Sequence, residues 1–213
     1  MSTYRGPDGL WEGEHVRKVA YPDGFAADPA GVWAWYNRLR SKVAECSPAA
    51  GHTALVDLER KLATDGGSVT VCTQNIDGLH AQAGSTRVFE LHGSLLRARC
   101  CKCTYRVDIG CDPVSPLPPP CPECGDILRL DVVWFTESLQ DDVLQGATDA
   151  VAACDTFLTV GTSAIVYPAA GLIDLALHRG VPCLEVNLDP TPYTSHMTVS
   201  LQGRAADILP QLI

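Results

Sequence analysis

The chain has no stretch of the 18 or so uninterrupted apolar residues that a membrane span requires, and its opening Met1-Ser2-Thr3-Tyr4-Arg5-Gly6-Pro7-Asp8 holds no apolar signal core. These absences point to a protein without membrane contact, soluble and cytoplasmic. Positive charge is also scarce: 16 Lys and Arg stand against 25 Asp and Glu, a formal net charge of -9, and the basic residues are scattered. A phosphate-backbone reader depends on clustered cations, so no direct nucleic-acid partner is expected. Charged residues are only 19% and apolar ones 46% of the 213, which excludes a disordered or fibrous chain and permits one large domain, or one domain with a small insert. A glycine-rich phosphate loop is missing too, since Gly-x-Gly-x-x-Gly occurs nowhere.

Cysteine is what the chain has in excess. Six of its ten cysteines fall between Cys100 and Cys124, a crowding that a local metal site explains better than a secreted disulfide scaffold. Cys100-x2-Cys103, seventeen residues, then Cys121-x2-Cys124 is the spacing of a four-thiolate zinc ribbon, in which each turn presents two sulfurs to one tetrahedral ion. Cys101 and Cys111 fit no pair. Four protein ligands close the coordination sphere, so one structural Zn2+ is expected and catalysis must lie elsewhere.

The first fifty residues read as loop-rich, with Gly6-Pro7-Asp8-Gly9 and Pro22-Asp23-Gly24, apart from a helix over 29–43. A second helix is expected over 51–63, where Leu55, Leu58 and Leu62 recur at helical spacing. Strands then follow at 68–72, 88–91 and 131–135, a helix at 141–153, a strand at 156–160, a helix at 169–179, a strand at 181–186 and a closing helix at 205–213. Alternating strands and helices predict an α/β fold with a parallel, helix-covered sheet, interrupted by the cysteine segment as a small inserted module.

In such a sheet, ligands bind outside the carboxyl ends of the strands. Thr73-Gln74-Asn75-Ile76-Asp77, Gly161-Thr162-Ser163 and Asn187-Leu188-Asp189 each follow an expected strand, and together would line a nucleotide-sized crevice. Each is also ordinary turn chemistry taken alone. His92, after the strand over 88–91, is either a general base at the same rim or a hydrogen-bonded structural histidine.

Tyr4-Arg5-Gly6, Gly9-Leu10-Trp11, Thr73-Gln74-Asn75-Ile76-Asp77 with Leu79-His80, Leu91-His92-Gly93-Ser94, the four paired cysteines, Val132-Val133-Trp134-Phe135, Gly161-Thr162-Ser163, Val166-Tyr167-Pro168-Ala169-Ala170 and Asn187 occur in the order that resembles the sirtuins, the NAD-dependent protein lysine deacylases. The resemblance implies a Rossmann-like NAD domain formed by residues 1–98 and 126–213, with part of a small helical subdomain in residues 7–50, and a zinc module over residues 99–125. It implies NAD as co-substrate, acylated lysines of proteins as partners, and nicotinamide and O-acyl-ADP-ribose as products. His92 would be the catalytic base that deprotonates a ribose hydroxyl. Asn75 and Gln74 would hold the ribose and order water, and Asp77 would hold the carboxamide. Gly161, Thr162, Ser163, Asn187, Leu188 and Asp189 would serve the phosphate and adenosine side, with Tyr4, Arg5 and the backbone near Ala205 also on the cofactor. Val132, Val133, Trp134 and Phe135 would pair with the substrate backbone by β-augmentation.

Three departures accompany the resemblance. Tyr36 and Ala20 look like the large-pocket subgroup that removes succinyl groups, in which a Tyr-x-x-Arg pair binds the acyl carboxylate; here Leu39 stands three after Tyr36. Arg40, on nearly the same helix face, is either a substitute or a solvated surface charge. Thr136 stands where the family has Gly after Trp-Phe. Finally, the family's opening strand and Gly-Ala-Gly-x-Ser loop would precede Tyr4, which leads to the expectation of an N-terminally shortened sirtuin with weakened NAD binding. The alternative is a degenerate, non-catalytic acyl-lysine or NAD-binding protein.

Overall fold

The computed structural model describes residues 14–213. In chain order, α1 (Glu14–Val19), α2 (Pro22–Ala27), α3 (Pro29–Ala44) and α4 (Ala50–Ala63) precede β1 (Val71–Thr73), α5 (Leu79–Ala83), β2 (Val88–Glu90), β3 (Gly93–Cys100), β4 (Arg106–Asp108) and β5 (Leu128–Val132). Then come α6 (Asp141–Ala153), β6 (Phe157–Val160), α7 (Gly171–Arg179), β7 (Cys183–Asn187), β8 (Val199–Gln202) and α8 (Ala205–Leu212). Two compact units result. One takes in the described residues up to Cys46 with Asn75–Gly78 and His92–Ser138; the other comprises Ser47–Gln74, Leu79–Leu91 and Leu139–Ile213.

The second unit carries the expected parallel strands. β1 pairs with β2, and β6, β7 and β8 form a three-stranded parallel sheet in that order. Val186 packs against Ala54 of α4 and Leu209 of α8, with Leu158, Val160 and Leu201 around them. The helices are bounded by local chemistry. Asp141 and Asp142 sit in the first turn of α6, where acidic side chains favour the positive end of the helix dipole. α7 stops at Gly180, whose φ of 69° is the left-handed cap that costs glycine little.

The first unit is built differently. Its sheet, β4-β3-β5, is antiparallel. α3 starts where Pro29 follows Asp28, whose carboxylate accepts from Gly31 N at 2.9 Å. Its Val32, Trp33, Tyr36 and Leu39 pack in one core with Leu95 and Ala98 of β3 and Leu128, Leu130 and Val132 of β5. The buried indole of Trp33 donates to Leu128 O at 2.7 Å. Where β3 starts, Gly93 has φ 76° and lies so close to β5 that a Cβ would stand 2.0 Å from Asp131 O. Only glycine fits that position.

Several expectations are corrected. Pro22-Asp23-Gly24 is helical, because Pro22 takes the first helical position where its missing N–H costs nothing. The strand expected over 131–135 is β5, Leu128–Val132, displaced toward its polar Arg129 and Asp131; the strand expected over 68–72 is β1, shifted to Val71–Thr73. β3, β4 and β8 were not anticipated. Arg40 is neither a pocket residue nor a surface charge: it is fully buried. Its Nη1 donates to Asn37 Oδ1 at 2.8 Å, its Nε to Gly110 O at 3.1 Å, and its Nη2 reaches Ile109 O, Gly110 O and Asp112 O at 2.9, 2.6 and 2.7 Å. The guanidinium latches α3 to the segment after β4. Arg40→Met should therefore leave buried carbonyls without a donor and cost about 3 kcal/mol, read as a lowered urea midpoint.

Candidate functional site

In the parallel unit the strand ends converge on Thr162, just beyond β6. Its Oγ1 accepts from Gln74 Nε2, beyond β1, at 3.2 Å and from Ala164 N at 3.1 Å, and its carbonyl accepts from Asn187 Nδ2, at the end of β7, at 2.8 Å. Gly161 N donates to Val186 O at 2.9 Å and Gly203 N, beyond β8, to Asn187 O at 2.8 Å. Gly161 has φ 60° with nothing within 4 Å of its would-be Cβ, so its backbone faces open space at this rim. Ser163, Leu188 and Asp189 are exposed beside these anchors, and Ala205 opens α8. The structure thus brings Gln74, Gly161, Thr162, Ser163 and Asn187 together through hydrogen bonds and backbone continuity. Tyr4 and Arg5 lie outside the described residues.

Two residues that sequence reasoning missed hold the chain beyond β7. Glu185 is buried and accepts from Thr191 Oγ1 at 2.5 Å, Thr194 Oγ1 at 2.6 Å and Ser200 Oγ at 2.8 Å. Burial pushes its carboxyl up, but these three hydroxyls outweigh it and hold the group below the usual range. Asp174 accepts from Tyr167 Oη at 2.9 Å and from Tyr193 Oη at 2.7 Å. A buried acid in a strand facing three hydroxyls is visible in a sequence only once the fold is known.

In the other unit, Asn75 is exposed and Asp77 buried, with Ile76 between them fixed by Leu95 N, which donates to Ile76 O at 2.8 Å. His92 is half-buried at the turn before β3. Its carbonyl accepts from Val133 N at 2.9 Å, while Gly93 supplies the tight turn that follows it. Of Val132-Val133-Trp134-Phe135, only Val132 belongs to a strand. Trp134 N donates to Glu137 Oε2 at 2.8 Å and Phe135 N to Ala20 O at 3.0 Å, so the N–H groups of 133, 134 and 135 are all spent within the chain. A substrate backbone pairing along this segment would therefore rest on its carbonyls, since those three donors are taken. Phe135, 41% exposed and stacked on Tyr21 at 5.3 Å, is what the turn offers outward. Tyr36 is buried, and its hydroxyl accepts from Trp134 Nε1 at 2.9 Å.

The cysteine pairs meet at the far end of the antiparallel sheet. The sulfurs of Cys100, Cys103, Cys121 and Cys124 all lie within 4.8 Å of one another, with 3.4 Å between Cys100 and Cys124 and 3.6 Å between Cys103 and Cys121. Zinc–sulfur bonds of about 2.3 Å in a tetrahedron separate sulfurs by about 3.8 Å, so the set fits a zinc ion. The Cys103 N–H, working against burial and joined by the Lys102 N–H, holds the Cys100 thiol down at about 6. Against the Tyr105 N–H, burial and the neighbouring sulfurs push Cys103 up to about 12. Four sulfurs this close lose their protons together only around a cation. Among the described residues no other group of this kind is found, and no helix there is long and apolar enough to cross a membrane.

The Sir2 family model matches residues 1–168. The chain belongs to the Sir2 family. It is 44% identical over 215 residues to NAD-dependent protein deacylase 2 of Pyrobaculum aerophilum, a match covering 100% of this chain and 84% of that protein. Among solved structures it is similar to an NAD complex of a Sir2 homologue, with a TM-score of 0.90 at 41% identity, covering 99% of this chain and 81% of the other. It is also similar to Sir2 bound to acetylated peptide, with a TM-score of 0.82 at 27% identity, covering 92% and 82%. The helix-covered parallel strands and the four-cysteine module agree with this Sir2 fold.

Thr136, where the resemblance has glycine, lies at φ 73°. A β-branched residue there is strained, which is why glycine suits the turn. Thr136→Gly should relieve about 1–2 kcal/mol of strain, part of it offset by the freer unfolded chain, for a net gain of about 1 kcal/mol; chemical denaturation checks this. Removing the metal should be far costlier. A strong chelator, or Cys124→Ser, should release one equivalent of zinc and abolish the near-ultraviolet circular dichroism of the tryptophans in this unit.

Proposed function

We propose that this Sir2 chain is an NAD-dependent protein lysine deacylase in which His92 is the general base. The observation that carries the reading is His92 itself: its backbone is pinned between Gly93, which nothing larger can replace, and Val133 N, in a member of a family whose relatives are named for this activity. NAD, when bound, supplies the ribose carbon that takes the acyl oxygen as nicotinamide leaves. The chain's own groups would do the rest. Gly161, Thr162, Ser163 and Asn187, already joined into one rim, would hold the phosphate and adenosine side, with Leu188, Asp189 and the backbone at Ala205 beside them. Gln74 and Asn75 would hold the ribose and a water, Asp77 the carboxamide, and His92 would accept the proton of a ribose hydroxyl. Zinc would do no chemistry, because four thiolates leave no open position.

The partner is an acylated lysine of a protein chain, presented as an extended segment past Phe135. The acyl group is read without Arg40, whose donors are committed to Asn37 and to the carbonyls of 109, 110 and 112. A neutral acyl group such as acetyl is thus the first substrate to test. The assay follows nicotinamide release from NAD with acetyl-lysine and succinyl-lysine peptides. Release that depends on peptide and falls at least about a hundredfold in His92→Ala, within the range expected for a general base, supports the reading. Peptide and NAD binding without any release would replace it with a binding protein.

A further inference from the structure

We propose that Glu137, paired with Arg129, is a positioning residue that ties the Trp134–Phe135 turn to His92, so that one ion pair sets both peptide affinity and the placement of the base. The proposal rests on the reading of His92 as the base. Arg129 lies in β5, every residue of which is buried. A cation there carries a desolvation penalty of several kcal/mol that only excellent geometry offsets. That geometry is present: Nη1 meets Glu137 Oε1 at 2.6 Å and Nη2 meets Oε2 at 2.9 Å, the two-point fork that lysine cannot reproduce.

The pair is not merely closed on itself. Arg129 Nη2 also donates to Val132 O at 2.9 Å, and its guanidinium carbon lies 3.4 Å from the centroid of the Trp134 ring. Glu137 Oε2 also takes Trp134 N at 2.8 Å. Between these two anchors stands Val133, whose N–H is the donor to His92 O at 2.9 Å. Three consecutive residues are thereby held, the outer two by the ion pair and the middle one on the histidine. Arg129 Nε is left without a hydrogen-bond partner, so the guanidinium is turned to serve Glu137, Val132 and Trp134 rather than to satisfy all its own donors. On the other side of the turn the Trp134 ring packs 5.1 Å from Phe25 and bonds Tyr36, and Phe135 follows at once. Any movement of the pair therefore shifts the exposed peptide-facing residue and the histidine backbone together.

The test compares wild type with Glu137→Gln, Arg129→Lys, their double variant and His92→Ala in the 213-residue chain. Affinity for an acetyl-lysine peptide is read by calorimetry, and kcat and the KM for NAD by nicotinamide release. Glu137→Gln should weaken peptide binding about tenfold and lower kcat about tenfold or more, with the KM for NAD rising by less than the peptide affinity falls, because Gly161–Ser163 and Asn187, which would hold the phosphate and adenosine side, belong to the other unit. Arg129→Lys should do the same although it keeps the charge, and the double variant should be no worse than either single one, as for residues acting as a unit. His92→Ala should lose kcat but keep peptide affinity. A Glu137→Gln that lowers only the melting temperature, or raises the KM for NAD as much as it weakens the peptide, overturns the proposal; if that variant does not fold, Arg129→Lys decides by the same readouts. Should His92→Ala retain full kcat, the base reading falls, while the peptide-affinity result still judges the ion pair's hold on the turn.

Discussion

The pairing of β3 with β5 is the constraint on which the antiparallel unit depends. Gly93 stands opposite Val132 and Ser94 opposite Asp131; after a register shift, Ala98 faces Leu130 and Cys100 faces Leu128. One end of this ladder thus carries His92 and the Trp134 turn, and the other carries the cysteine knuckles. At roughly 3.3 Å per residue, the eight steps from His92 to Cys100 put the metal on the order of 25 Å from the imidazole. Distance and a filled coordination sphere give the same answer about zinc: it closes the far end of a ladder whose near end holds His92. The arrangement also explains why the tightest steric demand falls at Gly93, since any larger residue would push the two strands apart where the histidine is held.

The parallel unit meets a different demand by a different route. Parallel strands point their carboxyl ends the same way, so short turns after β6, β7 and β8 reach one another without long loops. Their polar groups then become mutual partners: Thr162 accepts from Gln74, Ala164 and Asn187 at once, through its hydroxyl and its carbonyl. Such a rim is stiff because each turn satisfies its neighbour. Glu185 extends the principle one layer inward, where three hydroxyls compensate a buried carboxylate and fix the segment that follows Asn187.

What the sequence disclosed follows from how local each signal is. α6 was legible to the residue, since its amphipathic spacing and acidic first turn are properties of thirteen consecutive positions. The zinc ligands were legible from spacing alone, because chelation by paired cysteines is itself a local geometry. β5 was misplaced by three residues because Val132-Val133-Trp134-Phe135 is the more apolar run, whereas Arg129 and Asp131 enter a buried strand only with partners supplied from β3, β4 and Glu137. β3 escaped notice for the same reason, its arginines being neutralised by a carboxylate more than thirty residues away. α2 was hidden by Pro22-Asp23-Gly24, which reads as a turn unless the proline opens the helix.

Arg40 and Thr136 show the limit of reading a departure from a family pattern as a change of specificity. Arg40 lies one residue beyond the position where the resemblance has its acyl-binding arginine, and both positions flank Tyr36 in helical projection. The difference of one residue, about 100° around a helix, carries the guanidinium to Asn37 and the carbonyls of 109, 110 and 112, where it is fully buried. Thr136 departs in the opposite sense, keeping the backbone conformation of the glycine it replaces at the cost of strain. The turn tolerates it because Trp134, Phe135 and Glu137 are each hydrogen-bonded on either side. One departure therefore relocates a side chain while the other leaves the chain path unchanged, and only hydrogen-bond partners and backbone angles separate the two cases.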